Sequence, residues 1–174
     1  SPNILVVNND LPVATVQELI ALAKAKPGTL NYGTASAGSG NHLAAELFKR
    51  MAGVNTVGVK YKGAASALND LVAGQVNAMI INIPSALTLV QSGKLRALAH
   101  WGQGRLEALP GVPALRDQGL AAEYAQWSGL FVPAATPEPV AQRLRAASRM
   151  ASQDARVREV IHNAGSPVLY QDTP

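Results

Sequence analysis

The sequence predicts an α/β fold, a mostly parallel sheet with flanking helices, and three observations carry that prediction. Short apolar runs of strand length alternate with segments whose apolar residues recur at helical spacing, and parallel neighbours require crossover connections of this kind. Glycine or proline stands at most of the boundaries between them. Hydrophobic residues make up 48% of the 174, enough to bury a core on both faces of such a sheet.

Each element has its own signal. Ile4-Leu5-Val6-Val7 is a continuous apolar run of the kind buried on both faces, and Asn8-Asn9-Asp10-Leu11-Pro12 ends it. Thr15 and Glu18 form a capping box for a helix with Val16, Leu19, Ile20 and Ala23 on one face, closed by Lys24, Lys26 and Pro27-Gly28. The run 30–34 is the second strand, and the helix after it places Leu43, Leu47 and Met51 on one face before Gly53. A third strand at 57–61 leads to a helix with Ala64, Ala67, Leu68, Leu71 and Val72 on its apolar side and Gly74 at its end. The fourth strand is 76–82, Pro84 opens a helix running to Ser92-Gly93, and 95–99 is the fifth strand.

From His100 to Gly119 the pattern dissolves into a connector rich in glycine and proline, with one helical piece at 114–118. An extended run at 124–132 contains Trp127. Thr136-Pro137-Glu138 then opens a long helix with Val140, Leu144, Ala147 and Met150 as its apolar stripe and Arg143, Arg145 and Arg149 toward water. Asp154 caps a second helix with Val157, Val160 and Ile161 inside, and Val168-Leu169-Tyr170 reads as a last strand. Two helices and a strand make a thin core, so this segment needs another surface to pack against.

The segment with most chemistry joins the second strand to its helix: Thr34, Ala35, Ser36, Ala37, Gly38, Ser39, Gly40, Asn41. Glycines let a backbone approach a ligand, the hydroxyls of Thr34, Ser36 and Ser39 are short donors, and the opening amides of a helix are unpaired. Such a loop suits an anion, which the helix dipole favours without any lysine or arginine. The glycines at 33, 38 and 40 do not fit a dinucleotide loop, and Ser39 stands where a P-loop needs lysine, so a nucleotide is disfavoured. The alternative is that the small residues serve tight packing alone. His42 is open in the same way, as a donor to a ligand or as a surface residue. Loops after the third and fourth strands, with Lys62 and with Ile81 and Asn82, converge on the same end of a parallel sheet.

Other functions find little footing. A net charge of +4 with 5% aromatic residues gives no surface for nucleic acid. There is no cysteine, and no second histidine lies at ligand spacing, so neither a disulfide nor a metal or other cofactor is expected. No apolar run approaches the ~20 residues of a membrane span. No nucleophile, base and orienting group stand at recognisable spacing, so binding without catalysis is expected.

One ordered set of motifs has a family counterpart. Leu-Asn-Tyr-Gly-Thr with the Gly-Ser-Gly-Asn-His loop and the Leu-Ala-Ala-Glu-Leu-Phe-Lys helix (30–49), Tyr61-Lys62-Gly63-Ala64, the 71–76 segment and Asn82-Ile83-Pro84-Ser85-Ala86 come first. The segments at 93–99, 109–113 and 127–133 and Thr136-Pro137 complete it. Together they resemble the Bug family, extracytoplasmic solute receptors of tripartite tricarboxylate transporters. The resemblance implies a periplasmic-binding-protein-like (type II) lobe, a periplasmic location, a small carboxylate ligand, and membrane components of the transporter as partners.

It further implies that 1–123 is the second, ligand-binding lobe and 124–174 an incomplete returning segment of the first. The ligand would be held by Thr34, Ala35, Ser36, Gly38, Ser39, Gly40 and Asn41 with Ile81 and Asn82. Where family members often read Phe-Asp-Asn, this chain reads Ile80-Ile81-Asn82, which removes an acid and disfavours a ligand carrying an ammonium group. A lobe without its partner would leave Val140, Leu144 and Val160 uncovered and prone to self-association. Effector-sensing modules of transcription regulators share the architecture, but no helix-turn-helix is found here.

Overall fold

A computed structural model describes residues 2–122, 124, 129–163, 168 and 170. Strands β1 (Asn3–Asn8), β2 (Asn31–Thr34), β3 (Val57–Lys60), β4 (Ala78–Asn82) and β5 (Leu95–His100) form one sheet in the order β3-β2-β4-β1-β5. Pairing is parallel between β2 and both β3 and β4, whereas β1 pairs antiparallel with β4 and with β5. The sheet is therefore mixed. Four strands share a direction and β1, inside the sheet, opposes them. A run buried on both faces looks the same read either way, so Ile4 to Val7 gave no sign of the reversal. Its consequence is positional: Asn3, at the start of β1, lies opposite Asn82 at the end of β4, and Ile4 lies opposite His100 at the end of β5.

Helices α1 (Val16–Ala25) and α2 (Gly40–Ala52) cover one face of the sheet, α3 (Ala64–Val72) and α4 (Ile83–Gln91) the other. The capping box of α1 is present: Thr15 Oγ1 accepts from the Glu18 amide at 3.2 Å, and Glu18 accepts from the Thr15 amide at 3.3 Å. On α2 the buried residues are Ala44, Ala45, Phe48 and Ala52, while Leu43 is 50% exposed and Met51 38%. The expected stripe is thus displaced. Alanines let the helix lie close to the sheet, and Phe48 fills the remaining depth by packing edge-on against Trp101, with ring centroids 6.4 Å apart.

The connector after β5 is part of the core. Trp101 is 2% exposed and donates its amide to the Asn3 carbonyl at 2.9 Å. The 3-10 turn Leu115–Gln118 is fastened by Gln118, which accepts from the Val16 amide at 3.2 Å and donates to the Leu98 carbonyl at 2.9 Å.

His100 is wholly buried, and its Nδ1 accepts from the Gly102 amide at 3.1 Å. Burial lowers its pKa, against the opposing pull of the Asp117 carboxylate and the Gly104 carbonyl. A histidine held neutral contributes stability above its unfolded pKa of about 6.5, and that contribution is lost as pH falls through the lower folded value. Thermal melts should therefore show a lower midpoint at pH 5 than at pH 7.5, with a smaller drop in His100→Gln. An equal drop in both proteins would remove His100 as its source.

Helices α5 (Glu138–Gln153) and α6 (Ala155–Asn163) pack on each other, and Asp154 caps α6 by accepting from the Val157 amide at 3.0 Å. Their apolar stripe faces outward rather than inward: Val140, Leu144, Met150 and Val160 are exposed, and Ala141 alone on α5 is buried. Leu130, Phe131 and Val132 are exposed and in no strand, while Trp127 and Leu169, from the two expected extended runs, lie outside the described residues.

Candidate ligand site

Strand β2 ends at Thr34 and α2 begins at Gly40, so the loop stands at the edge of the sheet where the four like-directed strands end. Gly38 turns it with φ +78°, a left-handed conformation that a side chain strains. Ser39 is the helix cap: its hydroxyl donates to the Ser36 carbonyl at 2.8 Å and accepts from the His42 amide at 3.3 Å. His42 Nδ1 in turn accepts from the Gly38 amide at 3.3 Å. Ser39 and His42 are thus engaged in holding the loop. The first i→i−4 bond of α2 runs from Leu43 to the Ser39 carbonyl at 2.9 Å, which leaves the Gly40 and Asn41 amides without an acceptor in the helix. Ser36 and Gly38 form the exposed rim and Ala35 is half-buried.

Behind the loop lies a group of buried polar atoms without hydrogen-bond partners: Thr34 Oγ1, Asn82 Oδ1, both side-chain polar atoms of Asn3, and Trp101 Nε1. Strand alternation sets their direction. Tyr32, Leu5 and Ile80 belong to the core under α1 and α2, so Thr34, Asn3 and Asn82, two residues away on the same strands, share the face that α2 covers. Each unsatisfied buried group costs about 1–3 kcal/mol, so several on one edge mark a place where polar ligand or ordered water belongs.

Not every expected residue joins this group. Ile81 is fully buried with Met79 and Ile83 in the core on the opposite face, so it belongs to the packing under α3 and α4 and not to the loop. Its identity therefore says little about charge beside the loop. Lys62 is an exposed loop residue. Asn3 and Trp101, in contrast, were not singled out from the sequence. A polar residue opening an otherwise wholly apolar strand was the available signal for Asn3.

A groove of about 200 Å³ continues from the loop between α2 and the edge strand β3, lined by Tyr32, Thr34, His42, Glu46, Lys49, Gly58 and Lys60. Inside it the Tyr32 hydroxyl donates to Glu46, and Lys49 Nζ lies 3.0 and 3.2 Å from the two Glu46 oxygens and 5.5 Å from the centre of the Tyr32 ring. Gly58 is required here, because a Cβ would lie 2.8 Å from the Tyr32 hydroxyl. Burial and the Glu46 carboxylate push the Tyr32 phenol well above its ordinary pKa, while the Tyr32 hydrogen bond and Lys49 hold Glu46 below its own. Among the described residues no group of histidine and carboxylate side chains is placed to hold a metal ion, and no helix is long and apolar enough to cross a membrane.

A mixed sheet with helices on both faces is the architecture of a periplasmic-binding-protein lobe, and solved structures bear out that fold class. A Rhodopseudomonas palustris protein solved with adipate superposes with a TM-score of 0.90 at 34% identity, covering 95% of this chain and 56% of that one. MatC of the same species, with bound malate, gives 0.90 at 31% (96% and 57%), and the periplasmic binding protein BugD gives 0.91 at 28% (97% and 56%). The chain belongs to the tripartite tricarboxylate transporter receptor family, whose description as "Tripartite tricarboxylate transporter family receptor" matches residues 1–173. It is of the Bug type, and its relatives are solute-binding receptors rather than enzymes. The chain spans about half the length of the curated relatives it matches.

Proposed function

We propose that residues 1 to about 123 form the ligand-binding second lobe of an extracytoplasmic receptor, and that about 124–174 are the returning part of its first lobe. The whole receptor captures a small carboxylate in the periplasm and presents it to the membrane components of a tripartite tricarboxylate transporter. One observation carries this reading. The acceptor-free amides of Gly40 and Asn41 open α2 beside the buried, unpartnered hydroxyl of Thr34 and the side chain of Asn82. Amides and a hydroxyl at the positive end of a helix complement a carboxylate, and the side-chain amide of Asn82 can present a donor after rotation about its last bond.

Adipate and malate, bound to the two similar proteins, are both dicarboxylates and support the ligand class. The outward apolar stripe of α5 and α6 fits a surface covered by the rest of the first lobe. Without that cover, Val140, Leu144 and Val160 would drive self-association.

The loop can be tested by calorimetry on the two-lobed receptor. Ser39→Ala removes the cap that fixes the helix start, and carboxylate affinity should fall by about 0.5–1.5 kcal/mol. Gly38→Val should cost more, because a β-branched residue cannot hold the left-handed turn. Unchanged affinity in both variants would reduce the loop to a packing element.

A further inference from the structure

A side-chain amide carries a donor at one end and an acceptor at the other, and only the donor end of Asn82 suits a carboxylate. Asn82 stands at the N-cap of α4, where an asparagine ordinarily caps the helix. Its side chain makes no cap hydrogen bond, and Oδ1 is buried without a partner. Directly across the antiparallel ladder is Asn3, wholly buried, with neither Nδ2 nor Oδ1 bonded. Both side chains lie on the face that α2 covers, because Leu5 and Ile80, two residues along each strand, pack there. Side chains opposed in this way have Cβ atoms about 4.5–5.5 Å apart, close enough for one amide to donate to the other. The backbone of Asn3 is fastened on its other side, where its carbonyl accepts from the Trp101 amide at 2.9 Å. Packing alone does not account for Asn3. The next four residues of β1 are apolar and buried, and another of that kind would fill the position without the cost of an unpaired amide.

We propose that Asn3 is a positioning residue: its Nδ2 donates to Asn82 Oδ1, which holds the Asn82 carbonyl inward and turns the Asn82 NH2 group toward the ligand carboxylate. The last torsion of an asparagine is soft, so the two amides meet with little strain. Asn3 has no exposed surface and acts through Asn82. Without its donor, Asn82 is free to turn its oxygen toward the carboxylate, where two acceptors face each other and repel. The proposal rests on the carboxylate reading of the loop and on the place of Asn82 beside it.

Threonine and valine have the same shape and differ by one hydroxyl, so the pair isolates the donor at position 3. Calorimetry on the two-lobed receptor with succinate should show Asn3→Val lowering affinity by about fivefold or more. Asn3→Thr, whose hydroxyl can donate to Asn82, should stay within about twofold of the parent. When Asn82→Ala is added to each, the two should bind succinate alike, because the residue through which position 3 acts is gone. Thermal melts separate this from damage to the fold, since Asn3→Val buries no polar atom and should melt no lower than Asn3→Thr. Equal affinity in the two single variants, a difference between them that survives Asn82→Ala, or an affinity loss that follows a lowered melting midpoint would overturn the proposal. Unchanged affinity in Asn82→Ala alone would overturn it as well, while leaving the carboxylate reading of the loop in place. If the unmodified receptor does not bind succinate, that reading fails and takes the role of Asn3 with it.

Discussion

Trp101→Ala should lower the unfolding free energy of this chain by about 3–5 kcal/mol, the range for deleting a buried aromatic side chain. Trp101 is among the largest fully buried residues and lies between the end of β5 and α2, where it meets Phe48 edge-on. The loss is moderated in one respect, because the indole Nε1 is buried without a partner and its removal relieves that cost. Since Phe48 of α2 packs on Trp101, the cavity should also loosen this helix, whose first turn follows the 34–39 loop. Urea denaturation measures the first effect, and amide exchange at Gly40 to Phe48 the second. A loss under about 1 kcal/mol would mean that the connector after β5 is not part of the core.

The fold was readable where chain chemistry is local. Thr15 and Glu18 specify a helix start by themselves, Pro84 and Gly53 mark boundaries by their own backbone preferences, and each was found where expected. Direction was not readable, because β1 is buried on both faces and its pattern is symmetric to reversal. The buried face of α2 was misjudged for a physical reason. Leu43, Leu47 and Met51 are its larger aliphatic residues, but closeness to the sheet rewards Ala44, Ala45 and Ala52, which a scan for bulk overlooks.

The candidate site was legible in its loop and not in its depth. Gly38, Ser39 and Gly40 announce a turn into a helix, yet that Ser39 is occupied as a cap follows only from its two hydrogen bonds. Asn3 lies opposite Asn82 because β1 is reversed, so no reading of separate segments could assemble that pair.

The central claim is that this chain supplies one wall of a two-walled carboxylate site, and the affinity of the chain alone is its measure. If the first lobe contributes two charge-assisted hydrogen bonds at about 1.5–3 kcal/mol each, its absence should weaken binding at least about a hundredfold. Water left over the open loop competes for the same amides, which adds to the loss. Titrating this 174-residue chain and the two-lobed receptor side by side with succinate, by calorimetry in one buffer, decides the matter. The account predicts saturable binding to the receptor and a dissociation constant at least about a hundredfold higher for the chain alone. Equal affinity in the two would mean that this lobe binds unaided, and would contradict it.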